Sequence, residues 1–152
     1  MRRKKHFGFT LMEILIAIAI LGILAVVGMG NFFSSLKKGR DARRKVALEQ
    51  VQKALEMYYN DYGQYPDTSD IDWGEEFTDG TTTYMKKLPQ DPKDSYQYVY
   101  AIDSDNNGVY FKLYACLEND QDLQIITPSE TVDCGGCENN CNYGISSPNT
   151  EP

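Results

Sequence analysis

From Phe7 to Phe33 the sequence carries one charged side chain, Glu13, and from Ile14 to Gly30 it carries none. About 20 predominantly apolar residues is the length a helix needs to cross a bilayer. A run of that kind has no place in the core of a small soluble domain. Arg2, Arg3, Lys4 and Lys5 stand immediately before it. A secretory leader has a shorter apolar core followed by a small-residue cleavage site, so this segment is expected to stay in the mature chain. The rest of the 152 residues leaves room for one modest domain.

Charge is split along the chain. Ten of the 15 Lys and Arg lie before residue 46, whereas 20 of the 22 Asp and Glu follow it. The acidic C-terminal part argues against a nucleic-acid surface there. The one histidine, His6, sits beside the basic tetrad. Once that segment is removed, Ser/His and Cys/His nucleophile arrangements and histidine-bound metals are excluded, and any remaining enzyme reading would rest on carboxylates alone. The chain is expected not to be an enzyme.

Behind the apolar run, Leu48, Val51, Leu55, Tyr58 and Tyr62 recur at spacings of 3 and 4, which lays a stripe along a helix. Gly63 and Pro66 supply stop signals. With no proline before Pro66, the spacing predicts one helix from about Phe9 to Tyr62. Residues 64–95, with Pro66, Pro89 and Pro92, read as a long irregular connection. Tyr96, Tyr98, Tyr100 and Ile102 then alternate, as do Val109, Phe111, Leu113, Ala115 and Leu117 after a polar turn, so an antiparallel hairpin is expected over 96–117. A third strand is expected at Leu123–Ile126.

Gly8-Phe9-Thr10-Leu11-Met12-Glu13, between a basic leader and the apolar helix, resembles the processing signal of type IV pilins and secretion pseudopilins. The likeness runs on to Tyr58-Tyr59-Asn60-Asp61-Tyr62-Gly63-Gln64-Tyr65-Pro66. Beyond residue 66 it is architectural. The resemblance implies an α+β, type IV pilin-like fold: a long N-terminal helix on a small antiparallel sheet with a Cys-rich C-terminal loop. It implies that a prepilin peptidase cuts between Gly8 and Phe9 and methylates the Phe9 amine. It also implies that Glu13 guides assembly. A carboxylate within an apolar helix costs roughly 2.5–3.5 kcal/mol on insertion scales, and the amine of a neighbouring Phe9 would offset it. The competing reading places Glu13 among lipid headgroups.

Lys37, Lys38, Arg40, Arg43, Arg44 and Lys45 form a basic stretch expected to face headgroups before assembly and acidic neighbours afterwards. By counting alone these six cations would reverse the orientation that the leader gives. Cys116, Cys134, Cys137 and Cys141 fall in the exported part, where disulfides persist. Cys116 is expected to join Cys134 or Cys137, with Cys141 taking the other. A four-cysteine zinc site is the rival. Asp103, Asp105 and Asn107, ahead of Gly108, have the spacing of a calcium loop, but position twelve is Tyr114 and an Asn-Gly turn explains the same residues. Apart from that calcium option, no cofactor is expected.

The chain is therefore divided as leader (1–8), filament-core or transmembrane helix (9–33), amphipathic continuation (34–63) and exported domain (64–152), the last comprising a connection (64–95), a hairpin (96–117) and a Cys-rich loop (118–152). The leading expectation is a subunit of a type IV pilus-like surface filament. The alternative is the major pseudopilin of a type II secretion system. The expected partners are further copies of itself, a prepilin peptidase, an inner-membrane platform and an assembly ATPase; nucleic acid is not among them. A bacterial cytoplasmic-membrane location before assembly, and an extracellular or periplasmic one afterwards, follow from the same reading.

Overall fold

The structure, a computed structural model, describes residues 8–102, 108–128 and 131–148; for residues 27–31 and 139 it describes the backbone alone. The chain resolves into two compact units, residues 1–36 and 37–152. One helix, α1, Leu11–Tyr62, contributes to both. It begins two residues later than the spacing suggested because Thr10 takes the cap position.

In the first unit every described large apolar side chain from Phe9 to Leu36 is exposed. Among the described residues no helix is long and apolar enough to cross a membrane. The described part of the apolar run stops at Val26, and the side chains that extend it in the sequence, from Val27 to Gly30, lie outside the description. The expected span falls partly on those residues.

In the second unit α1 turns Leu48, Val51 and Leu55 fully inward, as the spacing predicted. They pack with Tyr98 and Tyr100, with Phe111, Leu113 and Ala115, and with Tyr143 in one core. Burying each Leu contributes roughly 1.5–3 kcal/mol. Gly63, at φ 71°, ends the helix in the left-handed conformation that glycine adopts without strain, and its N–H bonds the Tyr59 carbonyl at 2.7 Å.

The connection after the helix is more regular than expected. It holds a 3-10 turn, Thr68–Asp70, and a small hairpin of β1 (Phe77–Thr78) and β2 (Thr83–Met85). The Asp79 carboxylate accepts the N–H groups of Thr81 and Thr82 at 2.7 and 2.6 Å and so builds the turn. The main sheet has the order β3 (Val99–Ile102), β4 (Phe111–Ala115), β5 (Tyr143–Ser146), all antiparallel. The expected hairpin is β3–β4, shorter than 96–117.

The expected strand at Leu123–Ile126 is absent. Leu123 is fully exposed, and Asp122 is held by Lys45 while capping the Gln124 N–H. Its place on β4 is taken by β5, with Lys112 opposite Ser146 and Ala115 opposite Tyr143.

Candidate functional site

The N-terminal end of the helix brings Phe9, Thr10 and Glu13 together. Glu13 lies in the first turn rather than deep in the helix, where the helix dipole favours an anion. Its carboxylate accepts bonds from the Thr10 N–H and hydroxyl, each at 3.4 Å, while the Glu13 N–H donates to the Thr10 hydroxyl at 3.2 Å. This reciprocal box is the Ser/Thr-x-x-Glu pattern that starts helices. Sequence reasoning singled out Glu13 and passed over Thr10, although the box could be read from their spacing. Gly8 and Phe9 precede the helix without regular structure, and Phe9 is 81% exposed, so the peptide bond between them sits in an open segment. Residues 1–7 lie outside the description.

The basic stretch proves to be two sets of residues with different surroundings. Lys37, Lys38 and Arg43 are exposed, as expected of a headgroup-facing run. Arg44 is fully buried. It forks onto Asp91, with Nε at 2.7 Å and Nη2 at 2.8 Å, and donates through Nη1 to Asp41 at 2.8 Å and Glu118 at 2.9 Å. Arg40 makes a second fork onto Glu118 at 2.7 and 2.6 Å. Asp41 in turn accepts the backbone N–H groups of Glu118 and Asn119, both at 2.9 Å. Lys45 grips Asp122 at 2.7 and 2.8 Å.

Half of the presumed membrane-facing charge therefore fastens the helix to the loops that carry Asp91 and Glu118. Burial works to lower the Arg44 pKa, but the bonds to Asp91, Glu118 and Asp41 outweigh it and the net shift is upward. The bond from Arg40, with Arg44 beside it, holds the Glu118 carboxyl down to about 2 against the opposing effect of its burial.

The cysteines pair as Cys116–Cys137 and Cys134–Cys141, one of the two patterns left open by the sequence. All four sulfurs are engaged in bridges, so none stands as a free thiolate in this structure. Among the described residues no group of three or more His, Cys, Asp or Glu is gathered as a metal requires. Asp103, Asp105 and Asn107 lie outside the description. The Gly135-Gly136 pair inside the disulfide loop serves close approach: Gly135 has φ 69°, and a Cβ on Gly136 would run into the Tyr96 ring.

The profile of the family described as "Prokaryotic N-terminal methylation motif" matches residues 3–29. The type II secretion system core protein G of Vibrio cholerae is 31% identical over 121 residues, which covers 72% of this chain and 81% of the relative. The protein of the same name from Pseudomonas aeruginosa is 32% identical over 115 residues, covering 65% and 77%. That from Aeromonas hydrophila is 31% identical over 103 residues, covering 60% and 71%. No solved structure matches the chain. These relatives favour the second of the two readings of the sequence, the secretion pseudopilin, over the surface pilus. The chain belongs to the family of the type II secretion system core protein G.

Proposed function

We propose that this chain is the major pseudopilin of a type II secretion system, a structural subunit without catalytic activity or resident cofactor that polymerises through its N-terminal helix. The observation that carries the reading is the family membership, which extends over most of the relatives' length and includes the methylation motif. Two features of the molecule support it. The exposed apolar surface between Phe9 and Leu36 needs lipid or other helices to cover it, and a precursor held in the membrane and later packed in a filament meets both needs. The domain is closed by disulfides, which suits a periplasmic destination.

In this reading a prepilin peptidase cuts between Gly8 and Phe9 and methylates the new amine. An inner-membrane platform with a cytoplasmic ATPase then extracts the subunit. Glu13, positioned by Thr10, exchanges its local bonds for the Phe9 amine of an adjoining copy. The opposite charges attract strongly in a low-dielectric helix bundle, and a subunit out of register forfeits that attraction.

Deleting the gene tests the assignment. Exported substrates should accumulate in the periplasm, with surface fibres unchanged. Loss of surface fibres with secretion intact would restore the pilus reading.

A further inference from the structure

A cleft of about 300 Å³ opens in the second unit between residues 96–98, just ahead of β3, and the loops around residues 73 and 90–94. That volume lies at the small end of ligand pockets. Three aromatic side chains form its walls: Trp73, Tyr96 and Tyr98, with the Trp73 and Tyr98 rings edge to face at 5.4 Å. Gln90, Gln97 and Asp94 supply amide and carboxylate groups at its exposed rim.

The walls are built rather than incidental. Gly74, at φ 98°, leaves room for the Gln90 side chain, whose amide donates to the Trp73 carbonyl at 3.3 Å. Tyr96 lies against Gly136 and is flanked by Lys93 and Arg44, 4.2 and 5.1 Å from its ring centre.

Two groups here are unused by the fold. Asp94 makes no hydrogen bond or ion pair with any described residue. The hydroxyl of Tyr98, a residue only 3% exposed, is the one buried side-chain polar atom among the described residues that lacks a partner. Leaving such a group unsatisfied is unfavourable, and a seated hydroxyl would relieve it after a local shift of the lining.

We propose that this cleft is a carbohydrate-binding site that takes a short neutral glycan. A pyranose offers C–H faces to the electron-rich faces of aromatic rings, and its hydroxyls both donate and accept. Trp73 suits the former, because Gly136, Arg44 and Lys93 already lie against Tyr96; Gln97, Asp94 and the Tyr98 hydroxyl suit the latter. A free cation is a poorer occupant, because Lys93 and Arg44 already sit over Tyr96 and Asp91 is taken by Arg44. A proline-rich peptide would use the rings but leave the rim amides and Asp94 idle.

Trp73 is the only tryptophan in the sequence, so fluorescence excited selectively at tryptophan, beyond the absorption of the 11 tyrosines, reports on this cleft. The full-length protein, in a detergent without a sugar headgroup, is titrated with maltotriose, cellotriose and chitotriose, and separately with a decaproline peptide. The expected result is a saturable change with at least one glycan, with a dissociation constant on the order of 1 mM. Asp94→Ala should weaken it about tenfold while leaving thermal unfolding unchanged; Gln97→Ala, which also gives up a bond to the Asp133 carbonyl at 3.2 Å, should weaken it about as much. Tyr98→Phe should weaken it without loss of stability. Absence of a saturable change with all three glycans, a response to the peptide alone, or glycan binding indifferent to Asp94→Ala and Gln97→Ala would each overturn the proposal.

Discussion

Arg44 and Asp91, 47 residues apart in sequence, meet in the interior through two N–H···O bonds of 2.7 and 2.8 Å, with neither side chain more than 1% exposed. Asp41 and Glu118 share the same guanidinium, so one cation bridges a cluster of three carboxylates, one of which Arg40 also pairs. Removing the cation would strand buried negative charge, and that penalty exceeds the net worth of any single pair.

Arg44→Met, which keeps the length of the side chain, is therefore expected to destabilise the second unit by about 3–5 kcal/mol. Arg44→Lys should recover only part of this, because an ammonium cannot reproduce the planar fork. Urea unfolding followed by near-ultraviolet circular dichroism measures both. A loss below about 1 kcal/mol for the methionine variant would show that the cluster contributes little.

The same cluster sets an acid limit. The folded-state pKa of Glu118 is depressed from 4.5 to about 2, first by its bond from Arg40. A depressed carboxylate contributes stability that is present above its unfolded pKa and is lost as pH falls through the folded one. Unfolding free energy should accordingly be level above pH 4.5 and decline between there and pH 2, with Glu118 accounting for roughly 3 kcal/mol of the decline. Glu118→Gln should be less stable at neutral pH and show a shallower acid limb. An unchanged acid slope in that variant would contradict the assignment.

Peptide mapping of the unreduced protein should return Cys116 linked to Cys137 and Cys134 linked to Cys141. Reduction should lower stability by about 2–4 kcal/mol per bridge lost, less for the seven-residue loop than for the 21-residue one. A Cys116–Cys134 peptide as the main species would overturn the pairing.

Gly136 has extended backbone angles open to any residue, so a substitution there acts only through what its side chain meets, the Tyr96 ring. Gly136→Ala should cost about 1–3 kcal/mol by overpacking. In a Tyr96→Ala background the cost should largely vanish, and a double-mutant cycle of thermal unfolding reads the coupling. Equal costs in both backgrounds would remove the close approach as the reason for glycine.

The helix was legible because its stripe obeys a strict period. Continued toward the N-terminus, that period runs from Leu48 through Arg44 to Asp41, with steps of 4 and 3, and places both charges on the buried face. The signal for the internal ion cluster was thus present, but adjacent cations made a surface patch the simpler reading. Partners 47 and 74 residues away cannot be inferred from local spacing. The third strand was misplaced for a related reason. Leu123-Gln124-Ile125-Ile126 has the apolar content of a strand, whereas Tyr143-Gly144-Ile145-Ser146 is short and carries glycine. What brings the latter to β4 is the pair of disulfides just before it, a constraint whose connectivity the sequence left open. The β1–β2 hairpin had a readable turn in Asp79-Gly80, hidden within a stretch dominated by loop residues.

The central claim, that assembly depends on Glu13 meeting the freed amine of another copy, is tested most directly by the filament fraction from cells producing Glu13→Ala, with the intact mass of the subunit taken in parallel. The account predicts subunits that have lost residues 1–8 and carry a methyl group on Phe9, yet polymer reduced at least about tenfold, the consequence of losing roughly 1.4 kcal/mol or more per subunit contact. Processed Glu13→Ala subunits polymerising at wild-type abundance would contradict it.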